Sequence, residues 1–193
     1  MMSVSARAAI LLVSAVAAAV AASSGHAAKA KKSAEPATSS KSAPGPSQLL
    51  GSAESWSAYK FEEKGSRVCY IVGQPQKSEP AAAKRRPPSA MVTHRPDQKI
   101  LNVVSFVEGY PLKSGSDVSL DIGGSKYTLF TKDDSAWAST SELDKTIVEA
   151  LGRGKQAVVT GISERGKSTV DTYSLSGFSK ALALIDDACG VKH

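Results

Sequence analysis

The stretch Val158–Cys189, VVTGISERGKSTVDTYSLSGFSKALALIDDAC, decides how the chain folds. Gln156–Ser163 and Ser168–Leu175 carry apolar residues at alternate positions, the period of half-buried strands. The polar turn Glu164-Arg165-Gly166-Lys167 separates them, so the pair reads as a hairpin. A helix then closes the stretch, with Ser176 as its expected N-cap. Phe178, Leu182, Ile185 and Cys189 recur at i, i+4, i+7 and i+11 and share one face of that helix. Cys189 is therefore expected to point at the core. Asp171, Thr172 and Tyr173 sit mid-strand, where a hydrogen-bonding role at the sheet–helix junction accounts for them.

Working back toward the amino terminus, the same alternation marks six more strands. They are Trp56–Phe61, Arg67–Gln74, Ala90–Arg95, Ile100–Tyr110, Asp117–Ile122 and Ser125–Thr131. The last two flank Gly123-Gly124, a doublet that supplies the positive φ of a tight hairpin turn. It is not a phosphate loop, because it lacks the Lys-Ser/Thr pair and leads into a strand. Ile100–Tyr110 has apolar residues on both faces, as a central strand does. Ser141–Gly154 reads as a helix: Ser141 and Asp144 approximate a capping box, and Leu143, Ile147 and Leu151 form a narrow apolar stripe. The expected fold is mainly β, an antiparallel β-sandwich of about eight strands with two helices, the C-terminal one packed on the sheet. Two late helices are too few for βαβ crossovers.

Residues 1–27 have the order of a secretory signal peptide: Arg7, an apolar run from Ala8 to Ala22, then small residues, with cleavage expected between Ala27 and Ala28. Residues 28–53 are rich in Lys, Ala, Ser and Pro and contain no aromatics, a composition that reads as a flexible tether. The folded domain is expected at 54–193. Of the formal charge of +6, the tether contributes +3, while the chain from Glu54 holds 19 Lys/Arg against 17 Asp/Glu. A domain so nearly balanced lacks the concentrated basic face that nucleic acid requires. The basic tether could make weak contact with anionic surfaces. The expected location is exported, in the periplasm or at the outer surface. In that oxidising setting the two cysteines, Cys69 and Cys189, are expected to pair.

Chemistry-bearing residues are few. His94 and Arg95 end a strand beside Pro96, Trp137 follows the acidic pair Asp133-Asp134, and Arg165 sits in the last hairpin turn. These four, His94, Arg95, Trp137 and Arg165, form the candidate ligand surface, although Trp137 also reads as a core anchor. Lys84-Arg85-Arg86, between prolines, reads as a solvated loop tip in a segment without regular structure. His94 lacks an evident nucleophile or partner acid, and Asp133/Asp134 lack the other oxygen ligands of a calcium loop. No catalytic residue, metal site or cofactor is expected. An envelope hydrolase or carbohydrate-active site near His94 or Asp133/Asp134 is the alternative.

Five strings carry a resemblance. CYIVGQP (Cys69–Pro75), MVTHRP (Met91–Pro96), NVVSFVEGYPLKSGSDVSL (Asn102–Leu120), IGGSKYTLFTKDDSAW (Ile122–Trp137) and RGKSTVDTYSLSGFSKALALIDDAC (Arg165–Cys189) resemble the invasion-associated locus B family of exported alphaproteobacterial proteins. The resemblance spans about residues 56–189. It implies a periplasmic or outer-surface domain with its cysteines paired, binding an envelope or host-cell component, and it transfers no catalytic motif. The segment KRRPPSAM (Lys84–Met91) departs from it, since the family tends to have a glycine after its arginine.

Overall fold

The computed structural model describes residues 45–80 and 85–192, so the expected signal peptide, its cleavage point and residues 28–44 of the expected tether lie outside the described residues. Eleven strands form one antiparallel sheet: β1 (Gln48–Ala53), β2 (Trp56–Glu63), β3 (Ser66–Gly73), β4 (Lys77–Glu79), β5 (Ser89–Arg95), β6 (Ile100–Val107), β7 (Asp117–Ile122), β8 (Ser125–Lys132), β9 (Ser135–Trp137), β10 (Gln156–Ile162) and β11 (Ser168–Ser174). Among the described residues two α-helices accompany them, α1 (Ser141–Arg153) and α2 (Phe178–Cys189). The strand order is β1-β2-β3-β5-β6-β9-β8-β7-β10-β11-β4.

The mainly β character, the antiparallel pairing and the two helices agree with the sequence. The count and the layering do not: there are eleven strands in a single sheet rather than about eight in a sandwich. The three added strands are short or poor in β-formers. β1 lies inside the stretch assigned to the tether, so the ordered fold begins before Glu54. It forms because β2 offers a pairing edge, and a bulge between Leu49 and Gly51 adjusts the register. β4 lies in the proline-rich connection and pairs with β11 over three residues. β9 lies in the acidic loop and bridges β6 to β8.

The sheet doubles over, so that its two ends meet across the core. The Trp56 indole N–H of β2 donates to the Ser174 carbonyl of β11 at 2.9 Å, and the rings of Phe106 (β6) and Tyr173 (β11) stand edge to face at 5.7 Å. Inward positions of both halves supply a single cluster that includes Ile71, Val92, Val104, Phe106, Leu120, Leu129, Val159 and Tyr173. Burying such side chains contributes about 1.5–3 kcal/mol each.

The helices enter differently from their sequence signals. Thr140, not Ser141, caps α1, its hydroxyl accepting from Leu143 N at 3.1 Å. The buried face of α1 is Asp144, Ile147, Val148 and Leu151, and Leu143 falls at its margin. Asp144 accepts from Val104 N at 2.8 Å, satisfying the β6 edge where β9 has ended. Burial pushes that carboxyl up to about 6, against the lowering effect of the same hydrogen bond. For α2 the N-cap is Gly177 rather than Ser176. Gly177 has φ 88°, and a Cβ there would lie 2.0 Å from the Ala53 carbonyl oxygen, so only glycine admits the turn beneath β1. The buried face of α2 is Phe178, Ala181, Ile185 and Cys189, with Leu182 partly buried beside it.

Candidate functional site

Two polar clusters interrupt the apolar core. The first is built around Cys69, an inward residue of β3, and the last turn of α2. Cys69 and Cys189 form a disulfide with 6.2 Å between their Cα atoms. Beside Cys69 in register is His94 of β5, which is 0% exposed. A register shift between Thr93 and Arg95, with Asn102 at φ 61°, turns the Asn102 N–H onto His94 Nδ1 at 3.0 Å. Because Nδ1 accepts, the ring proton resides on Nε2 and is directed at Asp186 Oδ1 of α2, 2.9 Å away. Arg67 completes this end by donating from Nη1 to the Ala188 carbonyl at 2.9 Å.

The second cluster lies where β6 runs out into Glu108. Three ionisable side chains meet here inside the fold: Arg85 (8% exposed), Glu108 (0%) and Asp171 (0%). Arg85 donates from Nη2 to Asp171 Oδ1 and from Nη1 to the Glu108 carbonyl at 3.0 Å, and Nη1 lies 3.8 Å from Glu108 Oε2. Ser78 of β4 also donates to Asp171 Oδ1. Tyr110 donates to Glu108 Oε2 at 3.3 Å and is hydrogen-bonded to the Thr169 hydroxyl, while the Arg85 guanidinium lies 5.4 Å from the Tyr110 ring centre. One cation thus faces two carboxyls. Burial first, and then the negative charge of Asp171, push the Glu108 carboxyl up to about 8, although Arg85 pulls the other way. Burial thus favours the protonated, neutral form of Glu108.

Hydrogen bonding in this cluster is incomplete. Arg85 Nε and the Tyr173 hydroxyl are buried with no partner among the described residues, while the Glu108 and Asp171 carboxyls hydrogen-bond side chain to side chain. Each such atom costs about 1–3 kcal/mol unless water or another group reaches it.

Above the cluster opens a cleft of about 430 Å³. One wall is the segment Gly109-Tyr110-Pro111 and another is the β10–β11 turn with Ser163, Glu164, Arg165, Lys167 and Thr169; Pro80 and Arg85 complete it. Backbone bonds fix the walls to each other, Glu164 N to the Pro111 carbonyl and Lys113 N to the Ile162 carbonyl, both 2.9 Å. Gly109 is required at its place: it has φ 74°, and a Cβ would lie 2.0 Å from the Arg86 carbonyl oxygen.

The structure does not bring the sequence-derived candidates His94, Arg95, Trp137 and Arg165 together. His94 is buried in the first cluster and presents nothing to a ligand. Arg95, at the end of β5, pairs with Glu63 of β2. Trp137 is half-buried on the outer face of the sheet, opposite Ser105 and Phe130 in register, because in the three-residue β9 the inward position falls to Ala136. That placement corrects the core-anchor reading. Arg165 alone lines the cleft. Asp133 and Asp134 brace the cleft's frame: their carbonyls accept from Leu112 N at 2.9 Å and Glu108 N at 2.8 Å, and the Asp134 carboxylate pairs with Arg86. Neither aspartate lines the cleft, and among the described residues no group of three or more His, Cys, Asp or Glu side chains could hold a metal ion.

Sequence reasoning misses Arg85 and Glu108 as site residues, and reads Asp171 only as a hydrogen-bonding residue at the sheet–helix junction. Arg85 reads as a solvated loop tip from its neighbours; the structure buries it, because its partners arrive from β11 and from the end of β6. The available signal was charge at a position whose neighbours alternate as a buried strand, as Asp171 does between Val170 and Thr172.

Residues 56–186 match the family described as invasion associated locus B (IalB) protein. The chain belongs to that family. A search of curated proteins finds no match. Among solved structures, the crystal structure of invasion associated protein B from Bartonella henselae is similar, with a TM-score of 0.52 and 18% identity over 73% of this chain and 97% of that one. At that identity the likeness concerns the fold. Within the IalB domain of this chain, no described helix is long and apolar enough to cross a membrane.

Proposed function

We propose that this IalB-family protein is an exported, non-enzymatic component of the cell envelope, and that its cleft binds another envelope or host-cell component. The observation that carries the reading is the cleft itself, opened over a buried ion cluster whose polar atoms are only partly satisfied. A fold that keeps such a cluster forgoes stability that apolar packing would provide, as binding sites commonly do. The signal-peptide order of residues 1–27 and the family assignment support export.

His94 acts through its ring, Asp133 through its backbone carbonyl, and Asp134 through its carbonyl and its carboxylate, which pairs with Arg86. His94 holds α2, and Asp133/Asp134 hold the cleft frame. The two buried carboxyls, Glu108 and Asp171, are engaged by Arg85, Tyr110 and Ser78 and lie beneath the cleft rather than in its lining.

The test is fractionation followed by retention. Protein recovered from the native envelope or culture fluid is passed over immobilised envelope fractions, peptidoglycan and host-cell membranes. Saturable retention on one of them is expected. Recovery only from the cytoplasm, or retention on none, overturns the reading.

A further inference from the structure

The cleft's chemistry narrows what it can take. Its lining carries three cationic side chains, Arg85, Arg165 and Lys167, against one carboxylate, Glu164. Arg85 is neutralised from below by Asp171. Arg165 and Lys167 are exposed on the β10–β11 turn, and neither forms an ion pair among the described residues. They stand two residues apart on opposite sides of Gly166, whose φ of 75° reverses the chain between them. Backbone bonds hold the turn rigid, Ser163 N to the Lys167 carbonyl at 2.9 Å and Gly166 N to the Ser163 carbonyl at 2.7 Å. Two unneutralised cations on a fixed frame, at the mouth of a cleft with low-dielectric walls, favour an anion.

The rest of the lining sets size and shape. A cleft of about 430 Å³ lies at the small end of ligand sites. Pro80, Pro111 and Tyr110 present apolar surfaces, while the Ser163 hydroxyl, which accepts from Lys167 N at 3.1 Å, and the Thr169 hydroxyl, bonded to Tyr110, keep one further hydrogen-bonding capacity each. Arg85 reaches the cleft from below, its Nε buried without a partner among the described residues and out of reach of the cleft's solvent. This combination suits a ring that is apolar on its faces, carries hydroxyls at its edge and bears one acidic substituent.

We propose that the cleft binds a monosaccharide-sized anion, a sugar ring carrying a carboxylate or phosphate, with the acidic group between Arg165 and Lys167 and the ring against Pro80, Tyr110 and Pro111. The proposal deepens the binding reading above and rests on the cleft being its site. Such a group could be a free sugar acid or the terminal unit of an acidic glycan, and the two share the chemistry that the cleft reads.

The experiment is an amide chemical-shift titration of the intact protein with glucuronate, glucose 1-phosphate, neutral glucose and inorganic phosphate, each to about 10 mM, beyond millimolar affinity. Saturable shifts confined to Gly109, Tyr110 and the Ser163–Thr169 segment are expected with the two acidic sugars. Glucose and inorganic phosphate should each bind at least about tenfold more weakly, a difference of roughly 1.4 kcal/mol. Arg165→Glu combined with Lys167→Glu should abolish the shifts, and both substitutions lie on an exposed turn where the fold tolerates them. Added salt should weaken wild-type binding, which provides a measure independent of any variant. A uronic-acid-terminated oligosaccharide binding as tightly as glucuronate would assign the cleft to a glycan end; weaker binding would assign it to the free acid. No saturable shift, equal binding of glucose, or shifts that survive the double substitution would overturn the proposal. Envelope retention that persists in the double variant would leave the envelope-binding reading standing while removing this one.

Discussion

The two polar clusters of this small β fold differ in how completely they are satisfied. At the disulfide end, His94 uses both ring nitrogens, one toward Asn102 and one toward Asp186, beside the Cys69–Cys189 bond. At the cleft end, one guanidinium serves two carboxyls. Arg85 Nε and the Tyr173 hydroxyl are buried there without a partner among the described residues, and the two carboxyls must share a hydrogen bond with each other. The disulfide end therefore acts as a latch that fixes α2 to the sheet. The cleft end holds charge in place at a cost in stability, which is the pattern expected where a protein binds something.

Breaking the latch should have the largest effect. Replacing Cys69 and Cys189 together by alanine opens a loop of sequence separation 120, and the chain-entropy account puts the loss at about 4–5 kcal/mol. Urea unfolding of the oxidised protein and of the double variant would measure it. An unchanged midpoint would show that α2 is held by packing alone.

At the cleft end, Arg85→Met leaves Asp171 buried without its counter-charge and should lower stability by about 3–5 kcal/mol in the same assay. Restoration of most of that loss by adding Asp171→Leu would demonstrate that the uncompensated charge, not lost packing, is responsible. A loss under about 1 kcal/mol for Arg85→Met alone would mean that solvent reaches Asp171 freely.

A pH series tests the charge state of the same cluster. Folded Glu108 holds its proton to about pH 8, whereas in the unfolded chain it releases it near its ordinary 4.5. Between these values the folded state binds more protons, so stability is greatest below about 4.5 and falls as pH rises toward 8, with a slope of up to about 1.4 kcal/mol per pH unit. Asp144 adds a contribution of the same sign between 3.8 and about 6. Glu108→Gln should flatten the profile above about pH 6 and lessen its slope between 4.5 and 6, where the Asp144 contribution remains, read as the melting temperature at a series of pH values. A wild-type profile that rises from pH 6 to 8 would contradict the assignment of the proton to Glu108.

The smallest expected effect sharpens the contrast most. Tyr173→Phe removes a buried hydroxyl without a partner among the described residues while keeping the ring against Phe106, so stability should rise by about 1 kcal/mol. A loss above about 1 kcal/mol would show that the hydroxyl is hydrogen-bonded to water in the folded protein.

The strands that sequence reasoning found are those whose own residues alternate, from Trp56–Glu63 to Ser168–Ser174. β1, β4 and β9 were invisible because they pair only where a neighbouring strand offers an edge. Ser141 and Ser176 were read as helix caps because hydroxyls favour that position. Thr140 took the first, since its extended backbone at φ −143° aims the side chain at Leu143 N, and Gly177 took the second because β1 passes too close for a Cβ. In the site, Arg165 was singled out from the turn composition. His94 is not a surface residue, because it follows Ala90 and Val92 on the inward face of β5, an alternation that is legible in the sequence; the register shift beside it only brings Asn102 N–H onto its ring.

By itself the sequence determined what is local or periodic: the antiparallel β class, the Gly123-Gly124 hairpin, the inward face of α2 and hence the meeting of Cys189 with Cys69. It also carried the family signature. Only the tertiary structure decided which charges share the interior. Arg85 and Asp171 stand 86 residues apart, and Arg85 and Glu108 stand 23 apart, with no periodicity linking them. Their meeting depends on the sheet doubling over until β11 and β4 close against the end of β6. The cleft inherits that dependence, because its walls come from segments that pair only after the sheet has folded onto itself.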